Sequence, residues 1–239
     1  MGPAGPATGR VAPRSVLAIY AHPDDPAVSC GGTLASWAAA GAEVHVCLCC
    51  DGDKGLREVA ADGPELARRR RHEAGAAGRQ LGVRAHHWLG YPDGAIDNGP
   101  ELRGRLVALV RELRPEAVLA PDPTAVFFGP NSINHRDHRV VGWAVLDAIS
   151  PAAASPHYFP GKGPPWQVAT MYLSGTREPD YWVDITGWID IKAAALACHV
   201  SQISDGAQWP SDVVRERAQE AGRAAGVDYA EAYRRVVLA

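Results

Sequence analysis

The stretch that most constrains this chain is Val16-Leu17-Ala18-Ile19-Tyr20-Ala21-His22-Pro23-Asp24-Asp25. A short, β-rich apolar run stops abruptly at a histidine, a proline and two adjacent acids. Beyond Pro26-Ala27-Val28-Ser29-Cys30-Gly31-Gly32, the stretch from Thr33 to Ala40 has helical character, and Gly41 closes it. A buried strand, a loop and a crossover helix predict the opening unit of an α/β fold. In open α/β sheets, ligands bind in the crevice beyond the carboxyl ends of the strands. Three ligand-type side chains, His22, Asp24 and Asp25, fall within four positions there, so this loop is the first candidate for chemistry.

The rest of the chain repeats the alternation. Strands are predicted over Glu43–Cys50, Ala85–Tyr91, Ala117–Ala120, Val168–Leu173 and Tyr181–Ile185. Helices are predicted over Glu65–Leu81, Leu102–Leu113, Asp137–Ile149, Ile191–Val200 and Val213–Ala225, with a last short one over Tyr229–Val236. This pattern implies a Rossmann-like, mostly parallel sheet with helices on both faces, in a single α/β domain. The Pro/Gly/Ala-rich stretch 1–14 reads as a flexible N-terminal tail without the apolar segment of a signal peptide, and 15–239 as the domain.

Composition narrows the function classes. A 46% apolar and 21% charged chain can bury a core. A net charge of −3 argues for neither nucleic acid nor an anionic membrane as partner, and no apolar run is long enough to span a bilayer. Five cysteines without paired CxxC motifs of the zinc-site type fit a reducing, cytoplasmic setting.

A second cluster, His135-Arg136-Asp137-His138, sits where a long loop becomes a helix. His135 and His138 are three apart and face the same way on a first helical turn. A nearby acid can fix a histidine's tautomer. Both clusters lie at strand-to-helix junctions, which share one edge of a parallel sheet, so they can converge. Two histidines and one carboxylate leave coordination positions open, as in a catalytic zinc site. A further carboxylate can then take a proton from water, and a further imidazole can stabilise an oxyanion. The same residues also spell a facial iron triad, and paired acids after a first strand suit a phosphoacceptor; the strand–helix alternation weighs against the first and the histidine cluster against the second.

Other residues have plainer expectations. Of Arg68-Arg69-Arg70-Arg71, one or two at most can face a site. His45, His86 and His87 lie in strands as packed or surface groups, and Trp37, Trp143 and Trp188 are expected in the core. Trp166, in a Pro-rich loop, is a candidate for a partner or substrate surface. His199 fits either a satisfied core position or the cleft. Phe127 and Phe128 belong to a long loop that suits a lid or an interface.

His22-Pro23-Asp24-Asp25 with Cys30-Gly31-Gly32-Thr33-Leu34 resembles the signature of the LmbE / PIG-L family of zinc-dependent de-N-acetylases. Gly52-Asp53-Lys54-Gly55, Arg70-Arg71-His72-Glu73, Leu89-Gly90-Tyr91-Pro92-Asp93-Gly94, His135-Arg136-Asp137-His138, and Lys192 through His199-Val200-Ser201-Gln202 match in order. The resemblance implies a metal, Zn2+ or alternatively Fe2+, held by His22, Asp25 and His138. It implies Asp24 as general base, His135 as oxyanion stabiliser and Asp137 as the group orienting His135. Arg70, Asp93, Asp53 and His199 match substrate-side positions. The implied reaction is removal of an N-acyl group, N-acetyl above all, from an amino-sugar-like small molecule, with an amidase of a thiol–sugar conjugate as the alternative. Exposed loop aromatics leave a homo-oligomer open. The departure is Pro26, where many members carry glutamate: either a supporting carboxylate is lost and the chain only binds ligand, or Pro26 is a benign first helical residue that leaves Asp25 extended.

Overall fold

The computed structural model describes residues 7–8, 12–55, 63–203 and 209–238. Its strands are β1 (Ala7–Thr8), β2 (Ser15–Tyr20), β3 (Glu43–Cys50), β4 (Ala85–Tyr91), β5 (Ala117–Pro121), β6 (Thr170–Ser174), β7 (Tyr181–Asp184) and β8 (Ala230–Val237). They form one sheet in the order β1-β7-β8-β6-β5-β2-β3-β4. The helices are α1 (Asp25–Ala39), α2 (Gly63–Gln80), α3 (Pro100–Leu113), α4 (Arg136–Asp147), α5 (Ile189–Ala197) and α6 (Trp209–Ala225).

Strand β2 is buried on both sides. Val16, Ala18 and Tyr20 join one core, with Leu34 and Trp37 of α1, Ala74 of α2, Leu196 of α5 and Val214 of α6. Leu17 and Ile19 join the other, with Leu102 and Leu106 of α3 and Val141 and Val145 of α4. The alternation follows from side chains pointing to opposite faces along a strand, and an all-apolar run is what two covered faces require.

From β2 the chain steps outward through β3 to β4, then crosses back to place β5 on the other side of β2, all in parallel. The topological switch therefore falls between β2 and β5. The two loops that leave their carboxyl ends, one to His22 and one to His135, open into the same crevice.

The last element corrects an expectation. Residues 229–236 do not form a helix; β8 runs antiparallel between β6 and β7. Ala-Glu-Ala-Tyr-Arg-Arg has local helical preference, but sheet hydrogen bonds on both sides outweigh it. Glu231 and Tyr233, two apart, then point together toward α1. Two tryptophans also differ from expectation. Trp143 is 47% exposed because it lies on the outer side of α4. Trp166 is no free surface group: its Nε1–H donates to the carbonyl of Pro115 at 2.8 Å, and its ring packs against the core. Within the stretch expected as a tail, Ala7–Thr8 pairs in parallel with Tyr181–Trp182; 1–6 and 9–11 lie outside the described residues.

Candidate active site

The loop after β2 is a closed turn. The Asp25 N–H donates to the His22 carbonyl at 3.3 Å, and the His22 N–H donates to Asp25 Oδ2 at 2.8 Å. This reciprocal pair makes Asp25 the first residue of α1, not the extended residue that a following proline favours. Pro26 falls in the first helical turn, where its missing N–H costs nothing. At the second junction His135 caps α4, its Nδ1 accepting the Asp137 N–H at 3.2 Å.

The two junctions meet. Nδ1 of His22 lies 3.0 Å from Nε2 of His138. Asp25 Oδ1 is 3.1 Å from that Nε2, and Asp25 Oδ2 is 3.5 Å from the His22 Nδ1. Tetrahedral ligation at about 2.0–2.1 Å sets neighbouring donors roughly 3.3 Å apart. Two ring nitrogens and a carboxylate converging at such distances form a donor set that fits a divalent metal ion. Ligand atoms of His22, His135 and His138 all lie within 4.8 Å of one another, as do those of His22, Asp93, His135 and Asp137.

Each histidine is aimed by its second nitrogen. Asn134 Oδ1 is 3.0 Å from Nδ1 of His138, which leaves Nε2 facing the centre. Asp93 Oδ1 is 3.2 Å from Nε2 of His22, which leaves Nδ1 facing it. Such partners fix tautomer and ring orientation. His135 uses Nδ1 as an acceptor, so its neutral tautomer carries the proton on Nε2.

Several expected residues also have partners within the protein. Asp93, expected on the substrate side, sets Oδ1 against His22. Asp53, expected beside it, accepts the Asp93 N–H on Oδ1 at 3.1 Å and so props the loop. Asp137 meets His135 through its backbone N–H, while its Oδ2 accepts the Gly94 N–H at 2.7 Å. Arg70, the buried member of the arginine run, donates from Nη2 to Asp24 Oδ1 at 2.7 Å and from Nη1 to the Gly52 carbonyl at 3.0 Å. The other three arginines pair with Glu65, Glu73 and Asp51. Gly52 has φ +66°, and a Cβ there would strike the Arg70 guanidinium, so only glycine lets that arginine reach Asp24.

Electrostatics follow the geometry. Burial pulls His138 down, but the Asp25 carboxylate outweighs it and leaves the imidazole above its ordinary value. His22 is raised in the same way by Asp25 and Asp93 against its burial. Burial works to raise Asp25, yet the charges of His138 and His22 hold it well below the usual carboxylate range. His135 is lowered by burial and by the two neighbouring imidazoles.

A cavity of about 440 Å³ is lined by His22, Asp24, Lys54, Arg70, Asp93 and His135, among others. His199 is 1% exposed and neither ring nitrogen has a hydrogen-bond partner among the described residues. It lines a smaller cavity together with Asp24 and Gln202, and burial lowers its pKa. Two residues escaped the sequence reading. Asn134 was signalled by standing four before His138. Glu231 was hidden in the misread last element. It pairs with the buried Lys192 and accepts the Gly32 and Thr33 N–H groups at 3.0 and 2.8 Å, where α1 kinks at Cys30.

Residues 17–149 match the family model described as PIG-L: GlcNAc-PI de-N-acetylase. The chain belongs to the PIG-L family. This PIG-L protein is a hydrolase of the N-deacetylase class. It is 32% identical to the diacetylchitobiose deacetylase of Thermococcus kodakarensis over 92% of this chain and 82% of that protein. It is 32% identical to the 1D-myo-inositol 2-acetamido-2-deoxy-alpha-D-glucopyranoside deacetylase of Streptomyces avermitilis over 70% of this chain and 63% of that one. The structure of N,N'-diacetylchitobiose deacetylase from Pyrococcus horikoshii superposes with a TM-score of 0.86 at 31% identity, over 94% of this chain and 84% of that one. No helix among the described residues is long and apolar enough to cross a membrane.

Proposed function

We propose that this protein removes the N-acetyl or a related N-acyl group from an amino sugar, with His22, Asp25 and His138 holding a zinc ion. The observation that carries this reading is the approach of those three side chains to 3.0–3.5 Å beside a carboxylate, Asp24, that is not among them. Zinc supplies, when bound, polarisation of the amide carbonyl and acidification of water. Fe2+ suits the same two-histidine, one-carboxylate set.

Asp24 acts as general base. Arg70 fixes its carboxylate, and its side chain is only a quarter exposed. It takes a proton from water as the C–O bond forms at the amide carbon. His135, its Nε2–H free to donate, faces the developing oxyanion. When the C–N bond breaks, the proton held on Asp24 passes to the departing amine, giving a free amino sugar and a carboxylate. Water is the nucleophile, so no acyl-enzyme forms.

Charged groups on the cavity wall suit a polyhydroxylated amine portion. Lys54 offers donors and Asp93 keeps Oδ2 for a hydroxyl; His199, in the smaller cavity that shares Asp24 and Gln202 with this one, keeps two nitrogens without a partner among the described residues. The names of the relatives point to the same substrate class. Pro26 in the first turn of α1, where its missing N–H costs nothing, speaks against a silent binding module.

Free amine released from N-acetylglucosamine and N,N'-diacetylchitobiose by zinc-loaded protein tests the reading. Amine release abolished by chelation and restored by zinc is the expected result. No release from any N-acylated amino sugar by protein that binds zinc stoichiometrically would overturn it.

A further inference from the structure

Two cavities flank the metal-binding residues and share only Asp25, His135 and His138 in their walls. One is the charged cavity of about 440 Å³ described above. The other is larger, about 620 Å³, and Tyr20, Val28, Pro121, Phe128 and Ile133 contribute to its wall. A scissile amide carbon placed at the shared wall sends its two substituents in opposite directions. The amine portion enters one cavity and the acyl portion the other. Lys54, Arg70 and Asp93 suit the sugar, so the acyl portion faces the larger cavity.

That cavity is less polar than its residue names suggest. The Tyr20 hydroxyl lies 2.9 Å from Ser174 Oγ, so both hydroxyls are engaged with each other. Asn134 donates to the Ala125 carbonyl at 2.8 Å and directs its Oδ1 to His138. With those groups spent, Val28, Pro121, Phe128 and Ile133 give the wall a continuous aromatic and aliphatic side, while Ser29, Ser132 and Arg217 line the rest of it; Phe128 and Ile133 remain 38% and 69% exposed. A methyl group needs about the ~30 Å³ of one water. A space of 620 Å³ is the size that encloses a drug-sized ligand.

We propose that the acyl group this enzyme prefers is larger than acetyl: an apolar chain of about four to eight carbons, seated against Val28, Pro121, Phe128 and Ile133. The inference rests on the hydrolase reading and deepens it. Each methylene buried against that wall contributes binding that acetyl cannot.

The test is kcat/KM of the zinc-loaded protein for N-acetyl-, N-butanoyl-, N-hexanoyl- and N-octanoylglucosamine, with N,N'-diacetylchitobiose alongside. The expected result is a rise of at least about tenfold from acetyl to hexanoyl. Ile133→Asp should lower the hexanoyl-to-acetyl ratio by about fivefold or more. Hexanoate should also inhibit more strongly than acetate. A fall from acetyl to butanoyl, with acetyl still cleaved, overturns this inference alone. Diacetylchitobiose exceeding every acylated monosaccharide overturns it too, and assigns the cavity to a second sugar. No cleavage of any of them overturns both this inference and the hydrolase reading beneath it.

Discussion

Asp93 Oδ1 stands 3.2 Å from Nε2 of His22, on the opposite side of the ring from the nitrogen that faces His138. The carboxylate therefore sets which nitrogen of His22 is free, and does so from a loop 71 positions downstream. Asp93→Ala should weaken zinc binding about 10–100-fold, the usual cost of removing a metal-histidine's partner. Chelator competition measures it. A variant with wild-type zinc affinity and only a raised KM would return Asp93 to a purely substrate-binding role.

Arg70 clamps Asp24 and the Gly52 carbonyl at once through two nitrogens of one planar group. Lysine cannot span both. Arg70→Lys should lower kcat with zinc content intact. Asp24→Asn should cut activity by roughly two orders of magnitude or more, again with zinc retained. Metal analysis and steady-state kinetics on each variant separate these effects from a damaged metal site; a zinc-loaded Asp24→Asn enzyme of undiminished rate would remove Asp24 from the base role.

Zinc affinity should depend on pH with a definite sign. In the metal-free protein His138 and His22 are raised above the ordinary imidazole value, because Asp25 outweighs their burial. Both must be deprotonated to ligate, so binding expels protons. Affinity should climb with pH through neutrality and keep climbing above the ordinary histidine range, where unperturbed histidines would already have levelled off. Calorimetry in buffers of differing ionisation enthalpy counts the released protons. A pH-independent affinity between pH 6 and 8 would contradict this arrangement.

Lys192 and Glu231, 5% and 4% exposed at their side chains, form a buried ion pair against the kink of α1. Lys192→Met leaves Glu231 charged and uncompensated, and removing one partner of such a pair costs about 3–5 kcal/mol. Thermal or urea unfolding should show that loss. Because Glu231 also binds the N–H groups of Gly32 and Thr33, Glu231→Leu should be worse than Lys192→Met. A near-neutral Lys192→Met would mean that Lys192 does not offset the cost of burying Glu231.

The local sequence determined a good deal. The apolar run before His22 suits a strand buried on both faces because it has no polar side to leave in water. Pro26 and the capping His135 mark helix starts, and the spacing of His135 and His138 puts both on one turn. Tertiary structure decided the rest. The helical preference of Ala230–Val237 gave way to hydrogen bonds from β6 and β7, partners more than forty positions away for β7 and more than fifty for β6. The posts of Asp93, Asp53 and Arg70 were likewise set by approach. Their side chains carry the same chemistry whether they meet a sugar hydroxyl, a histidine or a neighbouring acid. Only the crossing of the chain between β2 and β5, which brings separate loops to one crevice, determines which of these they meet.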